Sequence, residues 1–318
     1  MPTSAPSAVH NFLAGPYIDR RAESREAPDW QEAALADPDT LFLLARGTAH
    51  PIAGEEPRVA FVGRDHPLVQ LAPRESLVLL GWFQSARCVL VQLGDDAPAP
   101  PGAHYEELRP LAAMLDGEQA GLLAYARALT YWQHRHRHCG VCGARCEPQR
   151  AGHVMRCRDP GCATDFFPRV DPAIIVLITD GERALLGRQA SWPAGRFSTV
   201  AGFVEPGESL EDAVVREVLE ETGVAVHSSR YHSSQPWPFP SSLMLGFTAT
   251  AAPGSTIGPS TELEEARWFT RESIAAGEVM LPPPTSISHR LIGEWFDAGW
   301  PQTLGEVTAG RRWGWRAR

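Results

Sequence analysis

At 318 residues the chain has room for two domains and a small module, and 43% hydrophobic with 21% charged residues describes an ordinary globular composition. A formal net charge of -9 argues against a broad basic surface for duplex nucleic acid, while leaving room for contact with one RNA end. No apolar run is long enough to cross a membrane, the opening segment MPTSAPSAVHNFLAG lacks a secretory apolar core, and the closing WRAR matches no retention or peroxisomal signal, so the expected location is cytoplasmic and reducing.

Four short apolar runs open the ordered part: TLFLLARG, RVAFVG, SLVLLGWF and RCVLVQL each predict a strand. Cys88, inside the last of them, reads as a packed core residue. The Pro-rich stretch GDDAPAPPGAHYEE predicts loop or linker, followed by helices over 106–115 and 118–136. The region 1–135 is therefore expected to be a mixed α/β domain with no legible chemistry. His134, His136 and His138 alternate with arginines and read as a solvated helix end.

Five of the six cysteines then cluster, at Cys139, Cys142, Cys146, Cys157 and Cys162. The spacing Cys139-x2-Cys142 and Cys157-x4-Cys162 predicts two thiolate knuckles around one structural Zn²⁺, a closed tetrahedral shell within a ribbon over 136–168. Pro160-Gly161 is suited to turning the wider second knuckle. Cys146, His138 and His153 remain alternatives for the fourth ligand, and a disulfide reading is disfavoured in a chain without a secretory signal.

Beyond the ribbon, PAIIVLITDGERALLGRQ predicts a hairpin with Asp180-Gly181 as its turn. Thr199 to Phe203, LMLGFTAT and EARWF predict further strands, and SISHRLIGEWFDAG an amphipathic closing helix. Between them lies GFVEPGESLEDAVVREVLEETGV, from Gly202 to Val224. Pro206 and Gly207 suit a turn, Ser209 with Asp212 a capping box, and Gly223 a left-handed helix stop. Leu210, Val214 and Val218 form a stripe for burial. Glu217, Glu220 and Glu221 stand at i, i+3 and i+4, where three carboxylates repel one another unless a cation sits among them. Hard oxygen ligands favour Mg²⁺ or Mn²⁺ partnered with phosphate oxygens. Glu208 and Arg216 read as an ion pair fixing the loop against the helix.

This segment resembles the Nudix box at every defined position: Gly202, five residues, Glu208, seven residues, then Arg216-Glu217-Val218-Leu219-Glu220-Glu221-Thr222-Gly223-Val224. The resemblance implies a Nudix α/β/α sandwich over 169–318. Downstream, Ser234-Gln235-Pro236-Trp237-Pro238-Phe239-Pro240-Ser241-Ser242 offers flat aromatic faces on a loop that prolines rigidify. The order of four-cysteine module, box and SQPWPFPSS is similar to that of the NADH pyrophosphatases. The resemblance covers about residues 105–300 well and the N-terminal domain weakly.

That resemblance implies metal binding by Glu217 and Glu221 with Glu220 close by, a further acidic ligand at Glu265, and a backbone carbonyl ligand at Ala201. It implies a nicotinamide ring between Phe203 and Trp237, with Gln235 to Ser242 lining the dinucleotide. Arg109, Phe167 and Ser288 stand where the family has further substrate contacts, part of the set coming from a partner subunit of a homodimer. Phe167 replaces a tyrosine, so the hydroxyl contact is not carried over to it; Ser288 replaces an alanine, so its contact is expected through the backbone. Gly152 replaces a substrate-touching glutamate, and no contact is carried over to it. The implied reaction is metal-dependent hydrolysis of NADH or NAD⁺ to nicotinamide mononucleotide and AMP, with removal of NAD caps from RNA 5′ ends as a related activity. Glu220 is the first candidate for the general base and Glu265 the second. A non-catalytic NAD or RNA regulator would be expected to carry a degenerate box, and this box is intact; a zinc-ribbon nucleic-acid module sits poorly with the negative charge. The basic, aromatic tail AGRRWGWRAR reads as a frayed terminus.

Overall fold

A computed structural model of the chain describes residues 10–310, and the tail from 311 onward lies outside the described residues. The chain divides into two compact units. One holds Leu13–Val170 together with Trp237–Ser241; the other holds 10–12, 171–236 and 242–310 of the described residues.

In the N-terminal unit, strands β1 (Ile18–Asp19), β2 (Leu41–Arg46), β3 (His50–Ala53), β4 (Arg58–Val59), β5 (Leu77–Phe83), β6 (Ala86–Leu93) and β7 (Ala103–Glu106) build two sheets, in the orders β1-β5-β6-β2 and β4-β3-β7. β2, β5 and β6 are the apolar runs seen in the sequence. They alternate faces, so Phe42, Leu44, Leu77, Leu79, Val89 and Val91 share one core. Cys88 is fully buried, as expected, and burial pushes its thiol up. The run RVAFVG is split: only Arg58–Val59 joins β3, while Val62 pairs with Phe42 through two 3.0 Å backbone bonds.

The expected linker ends in a strand, because the prolines stop before Ala103 and free Ala103–Glu106 to pair with His50–Ala53. That strand also shortens the first expected helix. After helices α1 (Trp30–Ala36) and α2 (Pro67–Gln70), α3 is a single turn, Leu108–Leu111, and α4 runs Gly117–Arg135 from an Asp116 cap that accepts from Gln119 N at 2.9 Å. His134 and His138 are exposed and the His136 ring bonds the Trp132 carbonyl, which fits a solvated helix end.

The ribbon is a three-stranded sheet, β8 (Cys146–Gln149), β9 (Val154–Cys157) and β10 (Asp165–Phe166). Its two knuckles close locally: Val141 N–H points at Cys139 Sγ at 3.4 Å, and Asp159 Oδ1 accepts from Gly161 N at 2.8 Å.

The C-terminal unit is a sandwich around one six-stranded sheet. Its strands are β11 (Asp171–Thr179), β12 (Arg183–Arg188), β13 (Val200–Phe203), β14 (Val226–Trp237), β15 (Ser242–Ala251) and β16 (Glu265–Thr270), in the order β14-β15-β11-β12-β16 with β13 against β11. The hairpin forms as predicted, Asp180 Oδ1 accepting from Arg183 N at 2.7 Å and Gly181 taking φ 99°. β11 is apolar on both faces because both are covered. Ile174, Val176 and Ile178 point to α5 (Leu210–Thr222), whereas Ile175 and Leu177 share a core with α6 (Arg271–Ala276), α7 (Ile287–Asp297) and α8 (Leu304–Val307).

The stretch expected as an extended loop is mostly sheet. β14 runs on through Trp237 and β15 begins at Ser242, leaving 238–241 as the connection. The sequence conceals β14, since an edge strand needs no apolar alternation and this one is largely polar.

Candidate active site and metal centre

The box forms as its residues dictate. Ser209 Oγ accepts from Asp212 N at 3.1 Å and Asp212 returns to Ser209 N, a reciprocal cap worth about 1 kcal/mol. Val214 and Val218 are fully buried and Leu210 packs against the same core. Gly223 ends α5 in the left-handed region at φ 71°, with no room for a Cβ because Gly258 N would lie 2.6 Å from it.

Arg216 organises the acids. Its Nε and Nη2 clasp the two oxygens of Glu208 at 2.7 and 2.9 Å. Nη1 reaches Glu217 at 2.9 Å and Glu220 at 3.0 Å, and Nη2 also donates to the Phe203 carbonyl at 2.9 Å. The loop-to-helix ion pair expected from the sequence is therefore present. The Arg216 guanidinium and then the Glu205 N–H hold Glu208 down at about 2.

Glu217 and Glu221 behave differently from Glu220. Both are buried, while Glu220 is exposed. Burial pushes Glu217 above the usual carboxylate range. Burial first, then the charges of Glu217 and Glu262, pushes Glu221 up to about 7. Acids held at such a cost in a helix face suit a cation, whose charge would reverse both effects. Gly202 supplies the cradle: a Cβ there would lie 1.9 Å from Glu217 Cδ, so the carboxylate occupies the space a side chain would fill. The donor set fits a hard divalent ion.

The sequence candidates around this centre separate by environment. Ala201 lies in β13 opposite Ile175, next to the glycine cradle. Phe203 closes β13 with 59% of its surface exposed. Glu265 is exposed and opens β16 opposite Arg188. Glu262, which the sequence reading passed over, is the acid in that stretch whose charge acts on both Glu217 and Glu221. The phrase TELEE offered several acids, and only the chain's path into β16 distinguishes them.

Gln235 is fully buried, and its amide is spent on the protein. It donates to the Phe12 and Thr285 carbonyls at 2.9 and 2.8 Å and accepts from Ile287 N at 2.8 Å. Ser288 is also buried, its hydroxyl shared with Ser198, Thr199 Oγ1 and Thr199 N just ahead of β13. Its side chain thus braces the strand that carries Ala201.

Within the N-terminal unit, Trp237 and Phe239 meet edge to face, centroids 5.2 Å apart. The Arg109 and Arg127 guanidinium groups stand over Phe239 at 5.7 and 5.3 Å. Phe167 is 54% exposed and so not a core residue. Gly152 takes φ 89° with Val78 2.7 Å from any Cβ, which explains why no larger residue stands there.

The ribbon cysteines form the second centre. The sulfur atoms of Cys139, Cys142, Cys157 and Cys162 all lie within 4.8 Å of one another. Among the described residues no other group of three metal-ligating side chains converges so closely; in the box, Arg216 occupies Glu217 and Glu220. Cys146 pairs in β8 and stays outside the set, and His153 Nε2 is 2.8 Å from the Leu79 carbonyl, buried and pushed down to about 4. Cys162, and not Cys146 or His153, completes the converging set of four.

Comparison with known proteins agrees with this anatomy. A NUDIX domain profile matches 169–296, a NADH pyrophosphatase-like rudimentary NUDIX domain matches 33–132, and a NADH pyrophosphatase zinc ribbon domain matches 134–167. A Stutzerimonas stutzeri protein named NAD-capped RNA hydrolase NudC is 42% identical over 67% of this chain and 75% of its own length. A human protein named NAD-capped RNA hydrolase NUDT12 is 32% identical over 92% of this chain and 75% of its own length, and a Mycobacterium bovis NudC is 40% identical over 85% and 88%. The chain belongs to the Nudix hydrolases, enzymes that work with a divalent cation, and within them to the group carrying a NADH pyrophosphatase-like domain and a structural zinc ribbon. Among the described residues no helix is long and apolar enough to cross a membrane.

Proposed function

We propose that the protein hydrolyses the pyrophosphate bond of NADH and NAD⁺, giving nicotinamide mononucleotide and AMP, and removes NAD caps from RNA 5′ ends. The observation that carries this is the pair of buried carboxylates, Glu217 and Glu221, both pushed up by burial first and then by neighbouring carboxylates, beside the Gly202 cradle. The names of the relatives support the substrate.

Glu217, Glu221 and the Ala201 carbonyl would hold Mg²⁺ or Mn²⁺, with Glu220 and an acid of the 262–265 stretch completing the set. The ion supplies charge neutralisation at the diphosphate and a more acidic bound water. Arg216 keeps the box loop and helix together, so that the carboxylates meet the substrate in fixed positions. Glu220, facing solvent, is the first candidate to accept the proton of the attacking water; Glu265 is the second. Water oxygen bonds to phosphorus as the bridging P–O bond breaks, and the departing phosphate leaves on its mononucleotide. The family resemblance assigns the nicotinamide ring to Phe203 and Trp237 and the remainder to Pro236 to Ser242, Arg109, Phe167 and the Ser288 backbone, with Gln235, its amide spent inside the fold, as a support. The working form is a cytoplasmic homodimer.

Incubation with NADH and Mg²⁺ or Mn²⁺, followed by chromatography, tests the reading. AMP and reduced nicotinamide mononucleotide are expected in equal amounts. Tight NAD⁺ binding without product would refute it.

A further inference from the structure

Pro238 and Pro240 have no N–H, so the 237–241 connection closes little of its own hydrogen bonding and needs donors from elsewhere. Arg127 supplies one such donor. Arg127 of α4 donates through Nη1 to the Pro238 carbonyl at 2.6 Å, and the same guanidinium stands over Phe239. Its Nε lies 3.4 Å from Glu107, which in turn accepts from Thr48 Oγ1 at 2.7 Å. The Arg127 side chain is only 14% exposed. A planar guanidinium can donate within its plane and stack through its face; an ammonium cannot do both.

We propose that Arg127 is a positioning residue for the nicotinamide half of the substrate. Backed by Glu107 and Thr48, it fixes Trp237 and Phe239 in the edge-to-face arrangement that presents flat aromatic surface to a heteroaromatic ring. This rests on the NAD(H) reading above and assigns the N-terminal unit a task in recognition: it holds the loop that reads the base. Arg127 touches the loop and not the reacting phosphates, so its loss acts on binding of one half of the dinucleotide.

The test uses the full-length protein with Mn²⁺, NADH as substrate, and nicotinamide mononucleotide and AMP as product inhibitors. R127A is expected to raise KM by about tenfold with kcat changed by less than about threefold. The inhibition constant for nicotinamide mononucleotide rises by a similar factor, while that for AMP stays within about twofold. R127K recovers part of the loss, and E107Q shows a smaller shift in the same sense. Inhibition constants that move together, or not at all, overturn the proposal. Should R127A fail to fold, R127K and E107Q carry the same comparison. Wild-type protein that leaves NADH intact sinks the underlying reading, whereas active wild type with an indifferent R127A sinks this inference alone.

Discussion

Replacing Gly202 by alanine adds one methyl group, and the structure fixes where it goes. The new Cβ would stand 1.9 Å from Glu217 Cδ and 2.0 and 2.2 Å from its two oxygens. Non-bonded atoms settle near 3.5 Å, so the carboxylate must retreat by roughly 1.5 Å. Backbone strain is not the issue, because φ at Gly202 lies outside the left-handed region. Overpacking of this kind costs about 1–3 kcal/mol, which lowers Tm by a few degrees and leaves the fold intact. Turnover suffers more, since a ligand displaced by about 1 Å costs on the order of 10²-fold in rate. The assay is steady-state release of AMP from NADH at saturating Mn²⁺, with circular dichroism and Tm alongside. G181A serves as control: its φ of 99° is strained for alanine, but nothing lies within 4 Å of the new Cβ, so stability falls while turnover persists. A folded G202A enzyme with kcat within about threefold of wild type would refute the cradle argument.

Other expectations follow from charge and ligation. Glu221 titrates near 7 in the folded protein against 4.5 unfolded, so without cation the folded state holds the extra proton and loses stability as pH rises between those values. E221Q should therefore melt higher than wild type above pH 7 in chelator, yet lose orders of magnitude in turnover; a lower melting point there contradicts the burial argument. E262Q should weaken activation by Mn²⁺ more than E265Q, because Glu262 is the acid felt by both buried carboxylates, and the reverse ranking in an Mn²⁺ titration would restore Glu265 as the further ligand. C142S should abolish zinc content and lower Tm, whereas C146S leaves one zinc per chain by metal analysis. His50 and His153 are pushed by burial down to about 4 from 6.5, so the unfolded chain takes up their protons first and stability is lost as pH falls from about 6.5 to 4. H153Q should reduce that slope in urea titrations, and an unchanged slope would remove His153 from the account.

Local chemistry made much of the molecule readable in the chain. The box wrote its own structure, since a capping serine, a period-four apolar stripe and a terminal glycine act over a few residues, and a backbone helix needs nothing else to place Glu217 beside Glu221. Cysteine spacing likewise foretold the four converging thiols, and doubly covered β11 announced itself by unbroken hydrophobicity. Elements stabilised only by distant partners stayed hidden. β7 exists because β3 offers it a ladder, and β14 gains its place from β15 with no apolar pattern of its own. The choice of Cys162 over Cys146 and the effect of Glu262 on both buried carboxylates were likewise settled in space. So was the diversion of the Gln235 amide into the protein interior. The sequence determined which residues bear chemistry, because bond-forming groups and short-range turns are encoded where they stand; tertiary structure decided which of them meet, because that depends on how segments far apart in the chain close on one another.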